Sequence, residues 1–581
     1  MIKLLKNISL KEWMFVFISF VLIIIQVWLE LKMPDYMSEI TVLVQTSGSS
    51  MNDILINGFY MLLCTFGSLI TAIITGYIVA NTTSRFSMNT RRRLFTKVQD
   101  MCMEDVKKFQ ISSLITRTTN DITQIEMFLT MGLVLLVKAP VTSVWAISKI
   151  LNKNFEWSVL TGFAILILLT VISILTIVVI PKFKIVQRLI DRLNGVTREN
   201  LNGIRVIRAF NAESYQEEKF DVANNNLTNQ LLFNQKAFAI MSPVMYLVLY
   251  FLTLAIYYVG ASLIDSASMA SKLSLFGDMI VFSSYSMQVI MSFLVLAMIF
   301  MMLPRAQVSA KRINEVLDTD DKILFGNAIK GCELGTVEFR DVSFKYADAE
   351  ECLLKNISFK ANKGEVVAFI GSTGSGKSTL VNLIPRFYDA TEGSIFVDGI
   401  NVKDYKEKSL NDLIGYVPQK AVLFDGTVSS NVSYGKSVSD DVIHKAISIA
   451  QAEDFVLKMD DSYDSHIASG GTNISGGQKQ RLSIARAIAK NPEIYIFDDS
   501  FSALDYKTDS LLRKNLKKYT KDATVLIVAT RIGTIMNADK IIVLEKGSCV
   551  GIGTHKELLK SCDVYREIAL SQLSKEELDN E

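Results

Sequence analysis

Six apolar runs dominate the first three hundred residues: Trp13–Leu31, Ile54–Val79, Phe128–Ile147, Trp157–Ile180, Ala237–Leu263 and Leu275–Leu303. Each approaches or exceeds the ~20 residues an α-helix needs to cross a hydrocarbon layer about 30 Å thick, so the pattern predicts six transmembrane helices. Past Pro304 the pattern changes: short β-branched stretches such as TVEFRDVSF and EVVAFI alternate with Gly-rich turns and amphipathic segments, as in an α/β domain. Two of the five connections between apolar runs are long, Asn81–Met127 and Pro181–Lys236. Both keep helical periodicity with few breakers, so each is expected to extend two membrane helices as a hairpin roughly 30–35 Å deep. A separately folded loop domain is disfavoured, because neither connection carries strand or turn punctuation. The predicted organisation is a membrane domain over 1–310, a linker over 311–330, an α/β domain over 331–570 and an acidic tail over 571–581, in which SKEELDNE reads as a solvated chain end.

Composition agrees with this division. A chain of 581 residues exceeds the roughly 250–300 at which single cores stop growing, and half of it is apolar. A net charge of only +2 offers no overall basic field for nucleic acid, so none is expected as a partner. The six cysteines are scattered without metal-ligand or disulfide spacing and read as reduced thiols. The opening MIKLLKNISLKEW places lysines before an apolar run with no small-residue cleavage site, which predicts a retained first membrane helix. Basic residues gather in this arm and in the long connections (Lys3, Lys6, Lys11, Arg91, Arg92, Arg93), against Lys32, Lys149, Lys153 and Lys272 near the short ones. That bias predicts a multi-pass plasma-membrane protein with both termini, the long connections and the α/β domain in the cytoplasm.

The chemistry begins at Gly371–Thr379, GSTGSGKST, which follows the apolar run EVVAFI and opens a helical segment. Gly371, Ser372, Thr373, Gly374, Ser375 and Gly376 form a loop whose backbone N–H groups can wrap phosphates. Lys377 can reach β/γ oxygens, Ser378 can ligate Mg²⁺, and Thr379 lies in the first helical turn. About a hundred residues on, ISGGQ runs into KQRLSIARAIAK, so Ser475, Gly476, Gly477 and Gln478 open another helix and make a second anion site. One domain does not need two such sites for one γ-phosphate, whereas two facing domains would each complete the other's pocket.

Taken together, these motifs resemble the ATP-binding-cassette transporter family, of the exporter type in which one polypeptide carries six membrane helices and one nucleotide-binding domain. The resemblance extends over essentially the whole chain. It implies an all-α polytopic membrane domain with long cytoplasmic extensions, followed by an α/β P-loop domain that uses ATP and Mg²⁺ and works as a dimer. By resemblance, Tyr346 in SFKY stacks on adenine, Gln419 in YVPQ links magnesium to the membrane domain, and Asp498 orients magnesium. Ser502, Ala503, Leu504 and Asp505 are then the loop that speaks across the dimer, and ISSLITRTTNDI and ENLNGIRVIRAFNAE resemble the surroundings of coupling helices.

Three departures from the family pattern fall on hydrolysis. In IYIFDDSFSALD, Asp499 stands where the family has a glutamate that polarises water. Aspartate is one methylene shorter, and a displacement near 1 Å can lower a rate about a hundredfold. In LIVATRIGTI, Thr530 replaces the switch histidine; losing one preorganised donor costs on the order of 3–4 kcal/mol in other enzymes. The three histidines, His444, His466 and His555, all lie elsewhere. In IASGGTNISGGQ, Ser469 stands where glutamate is usual. The expectation is a chain resembling the degenerate-site subunit of heterodimeric multidrug exporters. Its own pocket binds ATP and hydrolyses it poorly, while its intact ISGGQ completes the pocket of a second, non-identical half. Two alternatives stay open: Asp499 acts as a slow base in a homodimeric lipid or drug flippase, or the chain is an ATP-binding regulatory subunit without transport.

Lys138, in LLVKAPVTSVW, lies in the middle of an apolar run. It is read either as a contact for a hydrophobic or amphipathic substrate or as a lysine that snorkels or pairs with a carboxylate. Met291 and Met298 in the sixth run and Tyr257 in the fifth are further candidates for an adaptable apolar pocket, with helix packing and lipid contact as the competing roles. Asp278 is placed near the outer end of the sixth helix.

Overall fold

The computed structural model describes residues 1–6, 9–46, 48–151, 155–320 and 322–573. Lys153 and the SKEELDNE tail lie outside the described residues. Two compact units divide the chain: residues 1–99 with 111–319, and residues 100–110 with 320 onward.

The first unit is built from α1 (Leu10–Gln45), α2 (Met51–Asp100, its last residue in the other unit), α4 (Ile122–Leu151), α5 (Phe155–Ala209), α6 (Glu213–Ser266) and α7 (Met269–Leu317). Six candidate membrane spans lie in these helices, one for each apolar run. A capping box starts α1: Ser9 Oγ accepts from the Glu12 amide at 3.3 Å and Glu12 Oε2 accepts from the Ser9 amide at 2.8 Å. At 55 residues, α5 is about 80 Å long, far more than a crossing needs. It packs along α6 and turns over within a few residues near Phe210, which is the helical hairpin read from the second long connection. The first long connection also continues its helices. After α2, a short helix at Ile111–Thr116 and a π-helical turn at Arg117–Asp121 lead into α4. Trp157, Ile256, Val281, Phe282 and Tyr285 are fully buried at the centre of this unit.

The first helix outruns its apolar run, and a polar group in the added turns finds partners. α1 continues 14 residues past Leu31, and there Asp35 Oδ2 accepts from Lys149 Nζ at 2.9 Å while its Oδ1 accepts from the Tyr285 hydroxyl at 2.6 Å.

The second unit includes α3 (Met103–Phe109), two main sheets and a two-stranded pair of β7 (Gly426–Thr427) with β8 (His466–Ile467). Strands β1 (Val337–Phe344), β2 (Leu354–Ala361), β4 (Glu392–Val397) and β5 (Ile400–Asn401) form an antiparallel sheet in the order β2-β1-β4-β5. Strands β3 (Val366–Gly371), β6 (Ile414–Val417), β9 (Ile494–Asp498), β10 (Thr524–Val528), β11 (Lys540–Glu545) and β12 (Ser548–Gly553) form the other, in the order β12-β11-β3-β10-β9-β6. All neighbours in that sheet are parallel except β12 on β11. Its central strands are buried on both faces, which is why they read as continuous apolar runs. Alternate residues feed two cores: Ala368, Ile370, Phe497 and Ile527 on one side, Val367, Phe369, Ile496 and Leu526 on the other.

Candidate nucleotide site

The parallel sheet delivers the site. Val528 pairs with Phe369 on one side and Asp498 on the other, and Val417 pairs with Phe497, so the chain leaves β3, β6, β9 and β10 along one carboxyl edge. Ligands of open α/β sheets bind outside that edge. Gly371 begins the loop with φ 155°, and a Cβ there would lie 2.0 Å from the Leu544 carbonyl oxygen. At Gly376, with φ 93°, a Cβ would approach Leu354 Cδ2 to 2.6 Å. Only glycine fits either position, and the loop then opens helix α8 (Lys377–Asn382).

Lys377 is buried, and its Nζ donates to the carbonyl oxygens of Gly371 (2.9 Å) and Ser372 (2.8 Å). Burial lowers its pKa, and the carboxylates of Asp499 and Asp498 pull it back up. Ser378 Oγ donates to Asp498 Oδ1 at 2.7 Å, which sets two hard oxygens side by side as magnesium requires. Burial raises the Asp498 pKa, against the bond from Ser378. The donor set therefore fits Mg²⁺ and a polyphosphate, with Lys377 and the loop amides for phosphate and Ser378 and Asp498 for the metal.

Tyr346 follows β1, and its hydroxyl lies 3.0 Å from Thr379 Oγ1. Its ring meets Tyr388 edge to face at 5.4 Å. Lys107 of α3 sits over both rings, at 5.1 and 5.4 Å from their centroids. Ser475 caps α9 (Gly476–Lys490) in a capping box: its Oγ accepts from the Gln478 amide at 3.3 Å, and Gln478 Oε1 accepts from the Ser475 amide at 2.8 Å. Gly477 lies against the next loop, where a Cβ would stand 3.2 Å from the Ala503 carbonyl oxygen and 3.8 Å from Leu504. Asp505 caps α10 (Tyr506–Tyr519) by accepting from the Thr508 amide at 3.0 Å, a bond that lowers its pKa.

Two family models match the chain, one described as the ABC transporter transmembrane region over residues 16–293 and one as ABC transporter over 354–502. An ABC transporter ATP-binding protein of Mycobacterium tuberculosis is 38% identical over 528 residues, covering 89% of this chain and 88% of that protein. The chain belongs to the ABC transporters. YfiB, an ABC transporter ATP-binding protein of Bacillus subtilis, is 34% identical over 89% of this chain and 90% of its own. A Staphylococcus aureus protein named for multidrug export is 33% identical over 85% of each chain. The fold matches a bacterial Atm1-family ABC exporter solved with ATP bound, with a TM-score of 0.83 at 22% identity over 97% of this chain and 99% of that one. This ABC transporter is thus a half-transporter, a six-span membrane domain followed by a nucleotide-binding domain.

Two of the three residues read as departing from the family pattern, Asp499 and Thr530, meet at one point. Asp499 follows β9 in the left-handed region, with φ 45°, and its amide donates to the Val528 carbonyl at 3.0 Å. Thr530 Oγ1 lies 3.4 Å from Asp499 Oδ1, Gln419 Nε2 lies 3.3 Å from Asp499 Oδ2, and Ser502 Oγ donates to the Asp499 carbonyl at 2.9 Å. Ser469 sits apart from this group, exposed in a 3₁₀ turn at Ser469–Gly471.

In the membrane domain, Lys138 Nζ donates to Glu30 Oε1 at 2.8 Å, so pairing with a carboxylate is one role it has. Glu30, Lys138 and Met291 line one cavity, which Tyr257 and Met298 do not reach; all three of Met291, Tyr257 and Met298 are exposed. Sequence reasoning missed Glu30, although it interrupts the first apolar run one helical turn after Gln26 and was the natural counter-charge for Lys138. Lys107 was also missed, since nothing in a lysine of a long connection announces a ring beneath it.

Proposed function

We propose that this chain is one half of a heterodimeric ATP-driven exporter of drugs, amphipathic compounds or peptides, and that its own nucleotide pocket holds ATP and turns it over poorly. The observation that carries the reading is the meeting of Asp499 and Thr530. The position for activating water has a short carboxylate, and its neighbour is a hydroxyl that cannot become cationic. The binding groups Lys377, Ser378, Asp498 and Tyr346 are complete beside this weakened pair. When bound, Mg²⁺ supplies charge neutralisation between the phosphates. Lys377 and the loop amides orient the phosphates, and Tyr346 offers a face for adenine. The capped start of α9, Ser475 to Gln478, is intact and serves the pocket of the other half. That half carries the glutamate and histidine absent here, and hydrolysis there drives rigid-body movement of the membrane helices. Both termini and the nucleotide-binding domain face the cytoplasm, across the plasma membrane.

The test is ATP hydrolysis by the full chain in lipid nanodiscs, alone and co-purified with a second half containing the missing glutamate and histidine. The expected result is slow phosphate release alone and at least about a tenfold rise in the pair, a difference of about 1.4 kcal/mol in barrier. Equal rates would refute the asymmetric arrangement.

A further inference from the structure

We propose that the cavity between α1, α4 and α7 binds a zwitterionic amphiphile, whose ammonium and carboxylate groups are received by the Glu30–Lys138 ion pair. The proposal rests on the reading of the chain as an exporter half, and names the class of cargo for its membrane domain.

The cavity holds about 440 Å³ and includes Glu30, Met33, Lys138, Thr142, Gln288 and Met291 in its wall. Three helices build it by ordinary helical spacing. Glu30 and Met33 are three apart on α1, Lys138 and Thr142 four apart on α4, and Gln288, Met291 and Ser292 share one face of α7. Met33, Leu135, Met291 and Val295 supply the apolar surface for a tail.

Charge selects the head. Glu30 and Lys138 are only about a quarter exposed, at 25% and 30% of their side-chain surface, within apolar segments. Together they are neutral. A singly charged ligand would bring an uncompensated charge into this setting, which is strongly unfavourable in apolar surroundings. A zwitterion adds none, and each of its ends finds an opposite partner.

The hydrogen-bond inventory agrees. Glu30 Oε1 is saturated, accepting from Lys138 Nζ (2.8 Å), Gln26 Nε2 (2.9 Å) and Ser68 Oγ (3.2 Å). Its Oε2 has no hydrogen bond among the described residues. Lys138 has three N–H donors and gives one to Glu30. One turn further along α4, Thr142 is 6% exposed and its hydroxyl has no partner among the described residues. A buried hydroxyl left in this way is unfavourable, and a ligand acceptor relieves it. The spare donors of Lys138 and Thr142 thus suit a carboxylate, and Glu30 Oε2 suits an ammonium.

The experiment measures binding to the full chain in nanodiscs without nucleotide, with empty nanodiscs subtracted. The probes are three radiolabelled amphiphiles of equal chain length: 2-aminododecanoic acid, dodecylamine and dodecanoic acid. The expected result is saturable binding of 2-aminododecanoic acid roughly tenfold or more tighter than either singly charged probe. Thr142→Val, close to isosteric, is expected to weaken 2-aminododecanoic acid and dodecanoic acid several-fold and leave dodecylamine unchanged. Equal affinity for the three probes in the native chain overturns the proposal, as does a Thr142→Val variant that binds all three as before. Because no ATP is present, either failure leaves the asymmetric-pocket reading intact. Conversely, brisk hydrolysis by the isolated chain would end that reading and leave this one standing.

Discussion

Replacing Asp499 by glutamate and Thr530 by histidine together should awaken the pocket, where either change alone does little. The carboxylate of Asp499 is held from both sides, with Oδ1 3.4 Å from Thr530 Oγ1 and Oδ2 3.3 Å from Gln419 Nε2. One added methylene advances the carboxylate by about one bond length, ~1.5 Å, and an error near 1 Å in a reacting group is worth about a hundredfold in rate. A restored preorganised donor is worth about 2.7–4 kcal/mol, a factor of roughly 10²–10³. The two groups act on the same water and phosphate, so their effects are coupled. We expect Asp499→Glu and Thr530→His each to raise phosphate release by less than about tenfold, and the double variant to raise it by about a hundredfold or more. ATP affinity should stay within about twofold, because Lys377, Ser378 and Asp498 are untouched. The assay is steady-state phosphate release from the purified full chain at saturating Mg-ATP. A large gain from Asp499→Glu alone would show that Thr530 is not limiting. No gain from the double variant would move the block elsewhere, with Ser469 the next residue to restore.

The raised pKa of Asp498 gives a pH prediction. Burial makes the folded carboxyl hold its proton more tightly than in the unfolded chain. Ionisation therefore destabilises the fold above the raised pKa, and acidification relieves this. The same protonation removes a magnesium ligand, so Mg-ATP affinity, measured by calorimetry, should fall as pH drops toward the carboxylate range, whereas Asp498→Asn should bind weakly throughout and lose this part of the pH dependence. Ser475→Ala removes the cap of α9 at a cost of about 1 kcal/mol; ATP retained in this chain's own pocket should persist while the turnover of the complex falls. Glu30→Gln leaves the Lys138 ammonium without its counter-charge and should lower stability by on the order of 1–3 kcal/mol, less than a fully buried pair because both groups are partly exposed. Thermal unfolding measures it, and adding Lys138→Met should recover most of the loss.

Much of this architecture was written in local pattern. Gly371–Thr379 and Ile474–Gln478 carry their own backbone geometry in glycines, a lysine and a capping serine, so strand, loop and helix could be placed from the residues alone. The apolar runs located the spans but ended α1 too soon: its continuation depends on Asp35 meeting Lys149 and Tyr285, which are distant in sequence. The same limit hid Glu30 beneath Lys138, 108 residues away. Asp499, Thr530 and Gln419 were each legible as unusual or functional residues, yet their convergence on one carboxylate arises only when β6, β9 and β10 lie side by side. Lys107 joins the nucleotide-binding unit because Asp100–Gln110 folds with it, a grouping that helical periodicity cannot express.

The most direct measurement is the identity of the nucleotide this pocket keeps. The full chain, alone and with its partner half, is incubated with doubly labelled Mg-ATP, stripped of free nucleotide on a desalting column and denatured. The account predicts intact ATP in this chain's pocket after many turnovers of the pair, with little phosphate released by the chain alone. ADP in that pocket, with steady phosphate release from the isolated chain, would contradict it.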